Sequence, residues 1–407
     1  MESGGADTSP KIPSGACNVV TMAASQKGLQ GDVQNPKETN EDSIEVFQKT
    51  IIPVPVHVMS HANCSPASSS RGVIATLFRK KLISPDSESS EDSTYGARVS
   101  DMAVFEFMAL IDAMRVPWSK ESSNHKCLHT ITASDNTPAP MVMEIAFCMP
   151  EILKLDELRR HTDFWQFEKK WNIEIAFQEN DVFRRHKRLA VFDMDSTLIQ
   201  QEVIDEIARF VGVEDKVSAI TARAMNGEID FTESLRQRVA LLEGVPSDVF
   251  EKLKSVITFT PGARELTRAL KILGFKLAVL SGGFMPLANY VKEELSLDYA
   301  HANTLVISED GTQLTGELTG DIVHAERKAE LLEKIANENG IALRQVVAIG
   351  DGANDLPMMF KAGLGIAFDA KPAVQLRAPC RINSGNLQDV LYILGFTKEE
   401  QDQILGA

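Results

Sequence analysis

Two aspartates two residues apart, Asp193 and Asp195 in the stretch FDMDST (192–197), could divide a reaction between a nucleophile and a proton carrier. A hydroxyl beside two glycines, Ser281 and Gly282 in LSGG (280–283), could hold an anion. So could an ammonium, Lys328, near the start of the helical stretch 327–339. Two further carboxylates, Asp351 and Asp355, flank Asn354 in IGDGAND (349–355). Four carboxylates gathered within a few ångströms repel one another, and the arrangement is tenable only with a cation among them. Oxygen ligands with open positions suit Mg²⁺. Mg²⁺ and Lys328 together neutralise a phosphate dianion, while Ser281 and glycine-flanked amides donate to its oxygens. This is equipment for phosphoryl transfer.

The spacing assigns the roles. A metal-held Asp193 can attack phosphorus in line, and an off-metal, partly desolvated Asp195 can protonate the leaving oxygen and later take a proton from water. Taken singly, each element has a plainer reading: Asp-x-Asp as a turn or metal clip, Ser-Gly-Gly as a turn, Lys328 as a solvated helix residue, 350–355 as a surface loop. Their joint occurrence, in this order at the ends of expected strands, carries the catalytic reading.

Short apolar runs at 189–192, 276–280, 346–349 and 364–368 alternate with helical sequence, and runs this apolar are strands covered on both faces. The expected fold is α/β, a doubly wound parallel sheet, whose ligands gather beyond the carboxyl ends of its strands. Residues 200–256 break the alternation with helical sequence and read as an inserted helical cap. Residues 301–320, turning at 309–311, read as a hairpin flap.

The strings FDMDSTLIQQEVIDEIA from Phe192, MNGEIDFTESLRQRV from Met225, LSGGF from Leu280 and AIGDGANDLPM from Ala348 resemble the haloacid-dehalogenase superfamily of aspartate-nucleophile phosphatases and, within it, the phosphoserine phosphatase family. The resemblance covers residues 186–395 and implies a haloacid-dehalogenase-like core. It implies hydrolysis of O-phospho-L-serine to L-serine and phosphate, the last step of serine biosynthesis. It also implies that Asp193 is the nucleophile, Asp195 the general acid/base, and that Mg²⁺ is held by Asp193, Asp351 and the Asp195 carbonyl. Ser281, Gly282 and Lys328 would hold the phosphoryl group with Asn354 nearby, and Asp355 would steady the metal shell or Lys328. Glu202 and Arg238 match the positions that meet the ammonium and carboxylate of the substrate, and Phe231 one that closes over it. From spacing alone, Glu202 and Arg238 read equally well as surface ion pairs and Phe231 as cap core. Two alternatives stay open: a related phosphatase or phosphotransferase for another small phosphomonoester, and an inactive serine-sensing binding module.

The 407-residue chain has room for two or three domains. Residues 1–45 lack apolar periodicity and read as a disordered tail. Residues 51–59 (IIPVPVHVM) read as an edge strand, 63–70 as a linker, and 84–95 as a mobile acidic, Ser-rich loop with Ser84 a candidate phosphate acceptor. Helix is expected at 102–111 and 153–171 and strand at 141–147 and 173–177, which makes 46–180 a smaller N-terminal α+β region. It reads equally as a diverged amino-acid-binding regulatory domain, a packing domain or the contact of a homodimer. His125, Cys127 and His129 would share a strand face, more simply a polar face than a metal site. Residues 396–407 read as a C-terminal tail. A formal net charge of −15 speaks against nucleic acid as a partner. Five scattered cysteines without a CxxC pair suit reduced thiols, and no apolar stretch long enough to span a bilayer or signal-like start is seen; the expectation is a cytoplasmic protein without a membrane partner.

Overall fold

A run that is apolar but for Thr76, Gly72 to Phe78, forms most of the strand Ser70–Arg79 (β1). The structure is a computed structural model that describes residues 70–80, 90–114, 124–133, 136–150 and 154–406. Beyond β1 come helices Ser90–Tyr95 (α1) and Asp101–Ala113 (α2), strands Asn124–Thr132 (β2) and Pro138–Pro150 (β3), helices Leu155–Arg159 (α3) and Thr162–Trp171 (α4), and strand Ile173–Glu179 (β4). The four strands form an antiparallel sheet in the order β2-β3-β1-β4, with Ala75 opposite Ile145 and Phe177. Alternation along β1 sends Val73, Ala75 and Leu77 to the face covered by Phe107 of α2 and by Phe164, Phe167 and Trp171 of α4. Phe78, with Leu128, Val142 and Ala176, faces the other way and joins the core of the large sheet. Both faces of β1 are therefore buried.

Several expectations change here. The single helix at 153–171 is two, because the chain turns at Arg160 and His161 restarts it, its ring nitrogen accepting the Asp163 N–H. Of the acidic loop expected at 84–95, residues 84–89 lie outside the described residues and Ser90–Tyr95 form a helix, where buried Asp92 lies 2.7 Å from Arg79. The strand at 51–59, the tail at 1–45, the linker up to 69 and Ser84 lie outside the described residues.

The larger part begins with Leu189–Phe192 (β5). Four cap helices follow, Val203–Val211 (α5), Glu214–Met225 (α6), Phe231–Ala240 (α7) and Val249–Lys254 (α8). The alternation then resumes with Ala263–Ile272 (α9), Lys276–Phe284 (β6), Met285–Glu294 (α10), the flap strands Tyr299–Ile307 (β7) and Leu314–Thr319 (β8), and Ala325–Glu338 (α11). Val346–Gly350 (β9), Leu356–Lys361 (α12), Leu364–Phe368 (β10), Pro372–Gln375 (α13), Cys380–Ile382 (β11), Val390–Ile393 (α14) and Lys398–Leu405 (α15) complete it. The sheet order is β11-β10-β9-β5-β6-β7-β8, parallel except for the antiparallel flap pair β7–β8. Alternate residues of β5 serve opposite cores: Leu189 and Val191 pack with α11 and α12, Ala190 and Phe192 with the cap side. That is why the run is wholly apolar. The flap is tied to the cap, since Gly244 N–H donates to Leu314 O (2.9 Å) and Leu314 N–H to Val245 O (2.8 Å).

Residues 396–406 of the expected C-terminal tail are folded. Thr397 and Glu400 form a capping box that starts α15, and Gln401 is fully buried, its amide donating to Phe396 O (3.2 Å). The small sheet is seated on this end: Gln178 Nε2 donates to Ile393 O (2.5 Å), the Phe78 ring meets Tyr392 edge-on, and Arg184 donates twice to Glu144 (3.1 and 2.5 Å). Among the described residues no helix is long and apolar enough to cross a membrane, and the cysteines Cys127 and Cys380 are free thiols.

Candidate active site

β5 lies between β6 and β9, so the turns that leave these three strands meet above the same edge of the sheet. Asp193 follows β5 and its side chain accepts from Met194 N–H (2.7 Å), fixing the turn Met194–Leu198 that carries Asp195. Asp351 follows β9, and Asp355 closes the next turn by accepting Gly352 N–H (3.0 Å). Carboxylate oxygens of Asp193, Asp351 and Asp355 all lie within 4.8 Å of one another. Lys328, from the first turn of α11, is fully buried, 2.8 Å from Asp193 and 2.7 Å from Asp355. Burial opposes its charge, but the two carboxylates outweigh burial and raise its pKa, so it stays an ammonium.

Asp195 stands apart from this cluster in its hydrogen bonding. Its Oδ1 is buried and accepts no hydrogen bond. Burial first, then the Glu202 and Asp193 carboxylates, push its pKa well above the ordinary carboxylate value, against the opposing pull of Lys328. Burial and the same two neighbours, Asp193 and Glu202, raise Asp351 to about 7. A crowd of oxygen acceptors this proton-hungry is what a hard divalent cation relieves, so the residues present fit one.

Close approach demands the glycines. A Cβ on Gly350 would sit 2.4 Å from Asp355 Oδ2, and one on Gly283 would sit 3.0 Å from Asp195 Oδ2 and 3.1 Å from Ser281 Oγ. A Cβ on Gly282 would come 3.3 Å from the Phe231 ring tip, so the first residue of α7 reaches from the cap onto the Ser281 turn. Asn354 lies in the same β9 turn, its amide oxygen 2.1 Å from where a Cβ on Gly352 would stand. Ser281 is fully buried and accepts Gly283 N–H (2.8 Å).

The cap side carries charge of both signs. Glu202 precedes α5 and accepts from Ser196 Oγ (2.8 Å); burial of its carboxyl end and the nearby Asp193 and Asp205 raise its pKa despite that bond. Arg238, on α7, is half-buried and donates to Ser234 O (3.3 Å). Burial lowers its pKa against Asp205, Glu202 and Asp195, whose negative charges act on it in that order.

The structure thus brings together Asp193, Asp195, Lys328, Asp351, Asp355, Ser281 and Gly282, with Asn354, Glu202, Arg238 and Phe231 around them. Two contributors escaped the sequence reading: Thr197, whose Oγ1 donates to Asp351 Oδ1 (3.1 Å), and Ser196, the donor to Glu202 at φ 53°. Both stand inside the FDMDST string, and their types and closeness to Asp195 were the available signal. His125, Cys127 and His129 do not converge on a metal site: β2 bulges between Cys127 and His129, and the His129 ring stacks on Tyr392.

The model of the haloacid dehalogenase-like hydrolases matches residues 190–359. A probable phosphoserine phosphatase of Schizosaccharomyces pombe is 52% identical over 234 residues, 58% of this chain and 78% of that one. Among solved structures, a haloacid dehalogenase family hydrolase from Salmonella enterica serovar Typhi superposes with a TM-score of 0.60 at 28% identity, covering 80% of this chain and 98% of its own. A probable phosphoserine phosphatase from Vibrio cholerae gives 0.55 at 30%, covering 82% and 88%. Both structural matches extend past the matched family region, into the small sheet. With these relatives beside the aspartate, lysine and glycine turns above, the chain belongs to the phosphoserine phosphatase branch of the haloacid dehalogenase-like hydrolases.

Proposed function

We propose that this chain is a magnesium-dependent phosphatase that hydrolyses O-phospho-L-serine to L-serine and phosphate through an aspartyl-phosphate on Asp193, in the cytoplasm, as the last step of serine biosynthesis. The observation that carries the reading is the placement of Asp193: its carboxylate touches the Lys328 ammonium at 2.8 Å and shares a cluster with Asp351 and Asp355, while Glu202 and Arg238 offer opposite charges nearby. A phosphomonoester bearing one ammonium and one carboxylate matches that set of charges.

Asp193 and Asp351, with the Asp195 carbonyl, would hold Mg²⁺, which supplies positive charge to the phosphoryl oxygens. An Asp193 oxygen attacks phosphorus as the bond from phosphorus to the serine oxygen breaks. Asp195, whose carboxyl burial and then the Glu202 and Asp193 charges dispose to hold a proton, gives a proton to the departing serine oxygen. Water then attacks phosphorus, Asp195 takes its proton back, and the bond to Asp193 breaks to release phosphate. Lys328, Ser281 and Gly282 hold the phosphoryl oxygens with Asn354 beside them, and Asp355 positions Lys328. Glu202 takes the substrate ammonium, Arg238 its carboxylate, and Phe231 covers it.

The test is phosphate release from O-phospho-L-serine, phosphothreonine and an aryl phosphate, with Mg²⁺ and with a chelator, for the natural chain and Asp193→Asn. The reading requires preference for phosphoserine, loss on chelation and loss in the variant. Turnover of the aryl phosphate alone discards the Glu202 and Arg238 roles. Retained activity in Asp193→Asn discards the mechanism.

A further inference from the structure

We propose that Asn303 is a positioning residue that sets the direction of the Ser281 hydroxyl. The inference deepens the proposed function and rests on its reading of Ser281 as a donor to the phosphoryl group.

The β6–β7 ladder is broken beside the Ser281 turn. Leu280 pairs with His301 and Phe284 with Asn303, so three residues of β6, Ser281 to Gly283, stand against Ala302 alone. Such a bulge takes backbone groups out of the ladder, and buried carbonyls then need other donors. Asn303 supplies them: it is 1% exposed, and its Nδ2 donates to Gly282 O (2.7 Å) and Gly283 O (3.2 Å). The orientation of the amide is fixed from its far side, where Oδ1 accepts Val323 N–H (2.8 Å). A flipped amide would set NH₂ against N–H and oxygen against two oxygens.

A peptide unit is planar and trans, so a bond that fixes Gly282 C=O also fixes the N–H of Gly283 on the opposite side. That N–H donates to Ser281 Oγ at 2.8 Å. With one lone pair of Oγ so engaged, the hydroxyl proton is turned away from Gly283 and left to donate elsewhere. A chain of three links results: Asn303 to the Gly282–Gly283 peptide, the peptide to Ser281 Oγ, and the Ser281 proton to a phosphoryl oxygen. Through Val323, one residue before the His324 cap of α11, the same amide ties the turn to the helix that carries Lys328.

Asn303→Asp isolates the donor half. It keeps the size and the acceptor for Val323 N–H but presents an oxygen to the two carbonyls. The experiment is a double-mutant cycle with Ser281→Ala in the full chain, reading KM for O-phospho-L-serine and the inhibition constant of inorganic phosphate beside the thermal transition. With Ser281 present, Asn303→Asp is expected to raise both constants roughly tenfold or more, with a smaller change in kcat. In the Ser281→Ala background it is expected to add less than about twofold. An equal rise in both backgrounds, or a lowered transition temperature with unchanged constants, overturns the proposal. If Ser281→Ala alone leaves the phosphate constant unchanged, the reading of Ser281 itself fails and the proposal falls with it. Should Asn303→Asp not fold, Asn303→Ala enters the same cycle with the same criteria; if neither gives a cooperative transition, Asn303 is a folding residue and the proposal is rejected.

Discussion

Thr197 Oγ1 donates to Asp351 Oδ1 across 3.1 Å and so joins the turn after β5 to the end of β9. Thr197 is fully buried, and its hydroxyl leaves the other Asp351 oxygen clear for a cation. Replacing it with valine keeps the volume and removes the donor. Thr197→Val is expected to weaken apparent magnesium affinity by roughly 10- to 100-fold, the usual effect of losing an outer partner of a ligand. Activity titrated with magnesium checks it; an unchanged half-saturation would show that the bond does not orient Asp351.

Lys328 is the only cation that touches Asp193 and Asp355 among the described residues. Lys328→Met leaves two carboxylates buried without it, and breaking a buried pair from one side costs about 3–5 kcal/mol. The loss should be largest near pH 8 in chelator and shrink on acidification, because Asp355, whose pKa burial and the Asp193 charge raise, no longer needs a counter-charge once protonated. Thermal unfolding across pH reads this directly, and a loss independent of pH would assign the lysine a packing role.

Metal-free stability has a sign fixed by the raised carboxyls. Asp351, at about 7, and Asp195 bind protons more tightly folded than unfolded, so each stabilises the fold below its unfolded pKa and loses that contribution as pH rises through the folded value. In chelator, the transition temperature should therefore fall between about pH 5 and 8. Added magnesium should flatten the slope, and Asp351→Asn should reduce it. A transition temperature that rises over this range in chelator would contradict the crowding described for these carboxyls.

Arg238→Ala and Glu202→Gln test discrimination rather than chemistry. Each is expected to lower kcat/KM for O-phospho-L-serine by roughly 30-fold or more, as for a lost charge pair in a desolvated site, with little change for an aryl phosphate. Equal losses on both substrates would place the two residues in the scaffold of the cap.

The residues that do chemistry were easier to read than those that hold them. β5, β9 and β10 stand out because both faces are covered and every position is apolar, β6 because the same holds from Leu277 to Leu280, and each active-site turn follows such a run directly. β1 begins where the linker expected at 63–70 ends, and its apolar run, interrupted by Thr76 and flanked by Arg71 and Arg79, is assigned no element from sequence. α1 is polar in sequence and owes its place to Asp92 meeting Arg79. The partners Thr197 and Asp351 are separated by 154 positions, and Asn303 and Gly282 by 21, so only the folded sheet brings them together. α15 reads as a tail because its one fully buried residue is a glutamine, Gln401, held by hydrogen bonds to Phe396 O and Gln388, while Ile404 and Leu405 pack only partly buried against the core.

The seating of the small sheet on Tyr392 and Ile393 also sets an order of events on the ribosome. Gln178 waits 215 positions for its partner Ile393, which at roughly 5–20 residues per second is about 10–40 s of synthesis. Through that interval the face bearing Phe78, Leu128, Val142 and Ala176 lacks its partners Tyr392 and Ile393, and a nascent chain carrying it is a client for chaperones until those residues have been made.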